Sequence, residues 1–288
     1  MRLDLELLRA HFNRRAFAFK HDLADHPQLR LGALYELAGR IPKGETLHWR
    51  GNITVSDNID TASQTHGNGL SLRETFDRID SAGSYVLIRN AQLDPAFARL
   101  VNEILDEAAR MTEPVDPGMS DRIAYVFIAS PRSVTPYHMD RDINFHFNIR
   151  GHKWISIWDP FDRDVLPEEG LETLFSDWTA PRPCFKPEYE SRASVFELDA
   201  GDGVHHPFTA PHAVRYGDDV AISFTVTFNT RSTRRRAAAH FFNRSLRRLG
   251  VAPAPVGRSL ARDEVKLRAM SLYRKAKGML RARAVVTK

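Results

Sequence analysis

The chain has 288 residues, and 42% of them are hydrophobic, which is enough to bury one substantial core. Its single cysteine, Cys184, excludes a disulfide framework and a site built on several thiolates, so we expect a reducing, cytoplasmic setting. Acidic residues come early, no signal-peptide core follows them, and no apolar run of roughly 18 residues occurs. We therefore expect neither a signal peptide nor a membrane-spanning helix.

The net charge of +5 is unevenly distributed. Residues 231–288 hold 17 Lys and Arg and two acids, about +15, which leaves 24 bases and 34 acids, about −10, for residues 1–230. Such a basic block attracts nucleic acid, anionic lipid or an acidic partner, or it forms a solvated helical face. Both interpretations stay open from the sequence.

The N-terminal part carries helical patterns. Apolar residues at helical spacing predict that residues 1–40 are helical, and a loop rich in Gly, Asn, Ser and Thr then runs to about Gly69. Ser71 with Glu74 three residues later forms a capping box, which predicts a helix to Ile79. Residues 85–88 predict a strand, and Asp94-Pro95 opens another helix.

From Ile123 the pattern changes to short strands separated by turn residues. These strands are predicted at 123–129, 143–149, 154–158, 193–198, 204–206 and 220–228. Many short strands with frequent turns predict a mainly β fold with helical flanks, whose core is a jelly roll, also called a double-stranded β-helix.

Three regions follow from these patterns. Residues 1–120 are predicted to be a helical N-terminal region with some strands that flank the barrel, and residues 121–230 to be the jelly-roll core. Residues 231–288 are predicted to form basic C-terminal helices, at about 234–249 and 259–284.

The most informative motif is His138-Met139-Asp140. Residues two apart on a strand point to the same side, so both side chains can face the inside of a barrel. His212, which follows a Gly-Asp turn and two prolines, is the candidate third ligand. Two histidines and one carboxylate form a facial triad, the ligand set of iron(II) sites that keep positions open for other ligands.

Other interpretations of the histidines remain open. A His-x-Asp pair is common on surface strands and in turns, where it binds nothing. His146 is a candidate neighbour of the site, and His205 or His206 is an alternative third ligand if His212 is not. We expect His212 because a Gly-Asp turn and two prolines precede it and it opens another apolar strand.

The segment from Thr135 to Lys153 resembles the JmjC and cupin-like branch of the 2-oxoglutarate-dependent oxygenases, and most of all the asparaginyl hydroxylase of hypoxia-inducible factor. That family has Thr-Pro-x-His-x-Asp, then an Asn and a Lys at the spacings that Asn144 and Lys153 occupy here. Downstream, Asp202, Pro207 and His212 match its last-ligand motif. The resemblance covers roughly residues 121–230.

The resemblance implies a role for each matching residue. His138, Asp140 and His212 would hold iron(II), Lys153 would pair with the distal carboxylate of 2-oxoglutarate, and Thr135 would donate a hydrogen bond to it. Asn144 would lie near the metal-bound end of the cosubstrate. A buried dicarboxylate needs such a cation, because an unpaired buried charge is costly. In one departure, Thr227 and Asn229 stand where the hydroxylase has an asparagine and a tryptophan.

The implied activity is a dioxygenase that hydroxylates an unactivated C–H bond, or demethylates if the carbon adjoins nitrogen. A protein side chain, an anionic saccharide or glycolipid, and a small metabolite all remain open as substrates. The C-terminal helices, with apolar residues such as Phe241 and Leu267, are candidates for homodimerisation or for docking on nucleic acid or a membrane surface.

Two alternatives come from other classes. One is a non-catalytic cupin-like module that uses its basic tail to bind nucleic acid or another partner. The other is a cupin metalloenzyme, such as an isomerase, that uses its metal as a Lewis acid.

Overall fold

The computed structural model describes residues 1–177, 179–180 and 182–286, with the backbone alone for 274–286. In these residues there are eleven strands: β1 Phe17–Lys20, β2 Thr46–Arg50, β3 Ser84–Ile88, β4 Ser120–Ala129, β5 Val134–Met139, β6 Ile143–Arg150, β7 Lys153–Ile157, β8 Ser194–Leu198, β9 Asp202–His206, β10 Pro211–Tyr216 and β11 Ala221–Asn229. The same residues include eight α-helices: α1 Leu5–His11, α2 Leu31–Arg40, α3 Ala62–Thr65, α4 Leu72–Asp77, α5 Pro95–Thr112, α6 Glu168–Ser176, α7 Arg231–Arg248 and α8 Leu260–Val286.

Strands β4–β11 form the jelly roll. One sheet contains the order β9-β6-β11-β4 and the other the order β5-β10-β7-β8, and every pairing is antiparallel. Successive strands alternate between the two sheets, except that β7 and β8 pair as neighbours in one of them. The predicted mainly β fold with a jelly-roll core and helical flanks is confirmed.

Three strands from the N-terminal region extend the larger sheet to seven. β1 pairs with β9 at one edge, and β3 and β2 continue the sheet beyond β4 at the other. The prediction that residues 1–40 are helical is therefore wrong at Phe17–Lys20. There Phe17 and Phe19 alternate with exposed residues, and partners almost two hundred residues away decide the conformation. The predicted loop to Gly69 likewise contains β2.

Local helix signals are confirmed where they are strongest. The Ser71 hydroxyl accepts a hydrogen bond from the Glu74 amide, and the Glu74 carboxylate accepts one from the Ser71 amide, so α4 begins at the predicted capping box. α5 begins with Pro95 after its N-cap Asp94 and packs one apolar face against the sheet, where Phe97 meets Phe224 edge to face.

We expect Asp94→Ala to destabilise the protein by about 1–2 kcal/mol, since it removes the cap of α5. Asp94 Oδ1 accepts from the Phe97 amide and Oδ2 lies 2.6 Å from Arg40 Nε. The Arg40 hydrogen bond holds the pKa of Asp94 below its usual value, so this contribution is present above the unfolded pKa and is lost as the pH falls through the folded pKa. Urea unfolding measures the change, with Glu103→Ala on the exposed face of α5 as the control; equal losses in both would contradict the assignment.

The C-terminal helices pack against other helices of the fold. α7 lies along α6, and α8 lies against α7. Arg247 of α7 holds the fully buried Glu172 of α6 through two hydrogen bonds of 2.9 and 3.0 Å. Among the described helices, none is both long and apolar enough to cross a membrane.

Candidate active site

The fold brings the three predicted metal ligands together. His138 lies on β5, Asp140 is the first residue after that strand, and His212 faces His138 from β10. The His138 and His212 Nε2 atoms lie 3.9 and 3.8 Å from the two carboxylate oxygens of Asp140. One nitrogen or oxygen from each residue lies within 4.8 Å of the others. A single metal ion can therefore contact all three side chains.

Backbone carbonyls orient both histidines. His138 Nδ1 lies 2.8 Å from the Pro136 oxygen, and His212 Nδ1 lies 3.1 Å from the Ala210 oxygen. A carbonyl oxygen only accepts, so each Nδ1 carries the proton and each Nε2 presents its lone pair toward Asp140. This second contact is the one that fixes tautomer and ring orientation in histidine metal ligands.

The charges of the group suit a cation. Burial, reinforced by His212, keeps the pKa of His138 far below its usual value, so the ring is neutral. Burial alone would raise the pKa of Asp140, but the net shift is downward, and the charge of Arg182 and the hydrogen bond from Asn144 both contribute to it. Asn144 Nδ2 donates to Asp140 Oδ2 at 3.2 Å. The site thus offers a neutral imidazole from His138, a second imidazole from His212 and an oriented carboxylate.

Beside these ligands lies a cavity of about 450 Å³. The hydroxyls of Thr135, Tyr85 and Tyr216 meet in its wall, with Tyr85 at 2.8 Å and Tyr216 at 3.2 Å from Thr135. Thr135 was predicted for this place, whereas the two tyrosines were missed. Tyr216 lies four residues after His212, on the same face of β10, and that periodicity could have revealed it.

Lys153 is fully buried but does not itself line the cavity. Among the described residues, its ammonium contacts His146 Nε2 at 2.8 Å, Ser223 Oγ and the ring of Tyr216, and no carboxylate. Burial lowers the pKa of Lys153 well below its usual value. The predicted cation is therefore present beside the cavity, in contact with His146 and Tyr216 of its wall.

The competing histidines take other places. His205 is held by the Asn13 amide at 3.0 Å and the Asn144 carbonyl at 3.1 Å, away from the ligand group. His206 packs edge to face against His212, at 4.5 Å between ring centroids, and is not one of the three grouped residues. His146 lies between Lys153 and Thr225.

Several polar atoms near the ligands have no partner in the described part of the chain. Asn144 Oδ1, both ring nitrogens of His206 and Thr227 Oγ1 are buried without a hydrogen bond. These three residues share one register across β9, β6 and β11, and all line the cavity. Buried polar groups normally find partners, so this row is expected where a ligand or ordered water binds.

Arginines surround the mouth of the cavity. Arg182, from the segment after α6, contacts the Asp60 carboxylate through two nitrogens at 2.7 and 2.8 Å and also donates to the Met139 carbonyl. Its Nη1 lies 3.9 Å from Asp140 Oδ1. Arg89 and Arg141 line the same opening. The sequence did not reveal Arg182 or Asp60, because both lie in irregular segments without a periodic pattern.

No family model matches the chain, and no curated protein matches it. Among solved structures, the chain is similar to the crystal structure of the Escherichia coli ribosomal oxygenase YcfD, at 16% identity and a TM-score of 0.47, over 95% of this chain and 67% of that one. A second structure of the same protein has 17% identity and a TM-score of 0.49, over 93% and 66%.

A third structure shows that ribosomal oxygenase in complex with cobalt and 2-oxoglutarate, at 17% identity and a TM-score of 0.47, over 93% of this chain and 65% of that one. This chain thus spans about two thirds of the length of those structures. Similarity at this level identifies no activity, and the fold assignment rests on the strand topology described above.

Proposed function

We propose that this protein is an iron(II)- and 2-oxoglutarate-dependent oxygenase that hydroxylates an unactivated C–H bond. The observation that carries the proposal is the grouping of His138, Asp140 and His212 at the wall of a cavity. Beside that cavity, Lys153 is fully buried and has no carboxylate partner among the described residues. The likeness to the asparaginyl hydroxylase in residues 135–153 supports the same class.

The residues present fit both groups. Two imidazoles and one carboxylate suit iron(II) and leave coordination positions open. An uncompensated buried ammonium and three converging hydroxyls suit a carboxylate, because a buried charge needs a partner of opposite sign. Lys153, Thr135, Tyr85 and Tyr216 would hold the distal carboxylate of 2-oxoglutarate, and Asn144 would lie beside its metal-bound end.

When bound, iron and 2-oxoglutarate supply the activation of dioxygen, and the chain supplies position and exclusion of water. The carbonyls of Pro136 and Ala210 keep both imidazoles aimed at one point. Asn144 keeps the Asp140 carboxylate turned toward that point. The rest of the wall includes the apolar side chains of Leu47, Leu87, Phe127 and Val214, which favour a dry site.

The decisive experiment is an anaerobic titration of the iron(II)-loaded protein with 2-oxoglutarate. We expect a visible metal-to-ligand charge-transfer band that saturates with the cosubstrate. Zinc(II)-loaded protein is the control, since its filled d shell cannot give the band. A folded, iron-loaded protein without the band would overturn the proposal and favour the non-catalytic module, whose nucleic-acid binding would then be sought as a salt-sensitive shift.

A further inference from the structure

Two basic side chains, Lys153 and His146, form a buried pair beside the cavity that contains the metal ligands. Lys153 Nζ lies 2.8 Å from His146 Nε2 and also donates to Ser223 Oγ. His146 Nδ1 lies 2.9 Å from Thr225 Oγ1. His146 and Thr225 line the cavity, and so does Tyr216, whose ring centroid lies 5.6 Å from Nζ. The pair is therefore placed to affect what binds in the cavity.

The hydrogen bonds of this pair determine which nitrogen of His146 carries the proton. An ammonium has three donors and no lone pair, so His146 Nε2 must accept from Lys153 Nζ. A neutral ring that accepts at Nε2 has its proton at Nδ1, which then donates to Thr225 Oγ1. A doubly protonated ring has no lone pair for the ammonium. His146 is therefore a neutral acceptor whenever Lys153 is charged.

The surroundings of the pair are uncharged or basic. Burial lowers the pKa of Lys153 well below its usual value, and burial together with Lys153 does the same to the pKa of His146. Burial raises the pKa of Tyr216 and of Tyr85 behind it, so both phenols stay neutral. The other titratable groups that act on the pair among the described residues are histidines: His206, whose ring stacks on His146, and His212 and His21.

A neutral partner affects the ammonium differently from an acidic one. The two acids that line the cavity, Asp60 and Asp140, are engaged with Arg182 and with the metal-ligand group. An acid at position 146 would orient the ammonium, but it would also cancel the charge and compete with an incoming carboxylate. An imidazole orients Nζ and stabilises its charged form through a hydrogen bond, and it leaves the positive charge available.

We propose that His146 is a positioning residue for the cosubstrate: as a neutral acceptor, it holds the Lys153 ammonium ready for the distal carboxylate of 2-oxoglutarate. This deepens the proposed function and rests on it.

A dependence on pH follows, because only the protonated form of Lys153 pairs with a carboxylate. Burial lowers the pKa of Lys153 in the empty site, and a bound carboxylate would raise it again. The affinity for 2-oxoglutarate is therefore full below the lowered pKa and falls by about tenfold per pH unit above it. Cosubstrate binding takes up a proton in that range.

Glutamine and glutamate at position 146 give a matched test, because they share a shape and differ in charge. The amide oxygen of Gln is a neutral acceptor, whereas Glu beside an ammonium is an anion. Iron(II)-loaded wild type, His146→Gln and His146→Glu are titrated anaerobically with 2-oxoglutarate, and the charge-transfer band gives the affinity. The control ligand is 2-oxopentanoate, which has the same chelating end but no distal carboxylate. The control variant is His205→Gln, at a buried histidine that does not line the cavity.

We expect His146→Gln to bind 2-oxoglutarate within about threefold of the wild type and His146→Glu to bind it at least about tenfold more weakly, the factor that a hydrogen bond to a charged group provides. The affinity for 2-oxopentanoate should be the same in all four proteins. In the wild type, the preference for 2-oxoglutarate over 2-oxopentanoate should decline between about pH 6.5 and 10, the range between the ordinary pKa values of histidine and lysine.

Similar affinities of the Gln and Glu variants for 2-oxoglutarate, or equal changes for both ligands, would mean that His146 only fills space and would reject the proposal. A preference for 2-oxoglutarate that stays constant with pH in the wild type would reject it too, and this measurement requires no variant to fold. A folded, iron-loaded wild type that gives no band with either ligand instead rejects the proposed function itself.

Discussion

Asp140→Ala will bind cobalt(II), used as a probe for iron(II), at least about 100-fold more weakly than the wild type. Replacing a residue that only orients a metal ligand already lowers metal affinity by about 10–100-fold, and Asp140 is itself a candidate ligand. Asp140 supplies the carboxylate that both Nε2 atoms face at 3.8–3.9 Å, and it is the only negative charge of the three-residue group. Without it, two imidazoles remain beside Arg182, whose charge opposes a cation. Anaerobic titration followed by the visible spectrum of cobalt measures the affinity.

Asp142→Asn is the matched control for this prediction. Asp142 is also an acid and lies two residues away, but it accepts a hydrogen bond from Asn229, is not one of the three grouped residues, and burial raises its pKa to about 7. We expect its cobalt affinity to stay within about threefold of the wild type, as a charge outside the coordination shell acts only at a distance. If Asp140→Ala bound cobalt like the wild type, Asp140 would have to be removed from the ligand set.

The sequence predicted the parts of the site that lie on regular strands. His138 and Asp140 are two residues apart at the end of β5, and the pairing of β5 with β10 places His212 opposite His138. A strand pattern fixes which side chains share a face, so the triad could be predicted from spacing together with the resemblance. The roles of these residues remain proposals.

What the sequence did not reveal depends on contacts between distant segments. Tyr85 reaches Thr135 only because β3 pairs with β4 at the edge of the jelly roll. Arg182 and Asp60 meet across 122 positions of sequence from two irregular segments. The prediction of a helix at Phe17–Lys20 is wrong for the same reason, since this segment pairs with the distant strand β9. Local patterns carry no information about such pairings.

The basic C-terminal block shows the limit of composition. Its charge of about +15 left open both a tail that attracts polyanions and a solvated helical face. In the structure α7 packs along α6 and α8 packs against α7, and both helices line a concavity that also contains acids. Arg247 pairs with buried Glu172. The distribution of charge over a folded surface, rather than its sum along the chain, determines which ligands a groove attracts.

Lys153→Met should have opposite effects on stability and on cosubstrate binding. The ammonium is fully buried without a carboxylate among the described residues, so a methionine of similar length removes a desolvated charge and should leave the ligand-free protein as stable or more stable by about 1 kcal/mol or more. The Lys43→Met variant, at an exposed lysine, is the control.

The same substitution should weaken 2-oxoglutarate binding about 10–100-fold, because a hydrogen bond to a charged group contributes about 1.5–3 kcal/mol and each 1.4 kcal/mol is tenfold. Cobalt affinity should not change, since Lys153 contacts none of the three ligands and its neighbours are His146, Ser223 and Tyr216. Urea unfolding gives the first effect and the charge-transfer band gives the second. If Lys153 had only a structural role, its replacement would lower stability and leave the affinity for 2-oxoglutarate unchanged. If Lys153 is buried in order to bind an anion, its replacement must lower the affinity for 2-oxoglutarate without lowering stability.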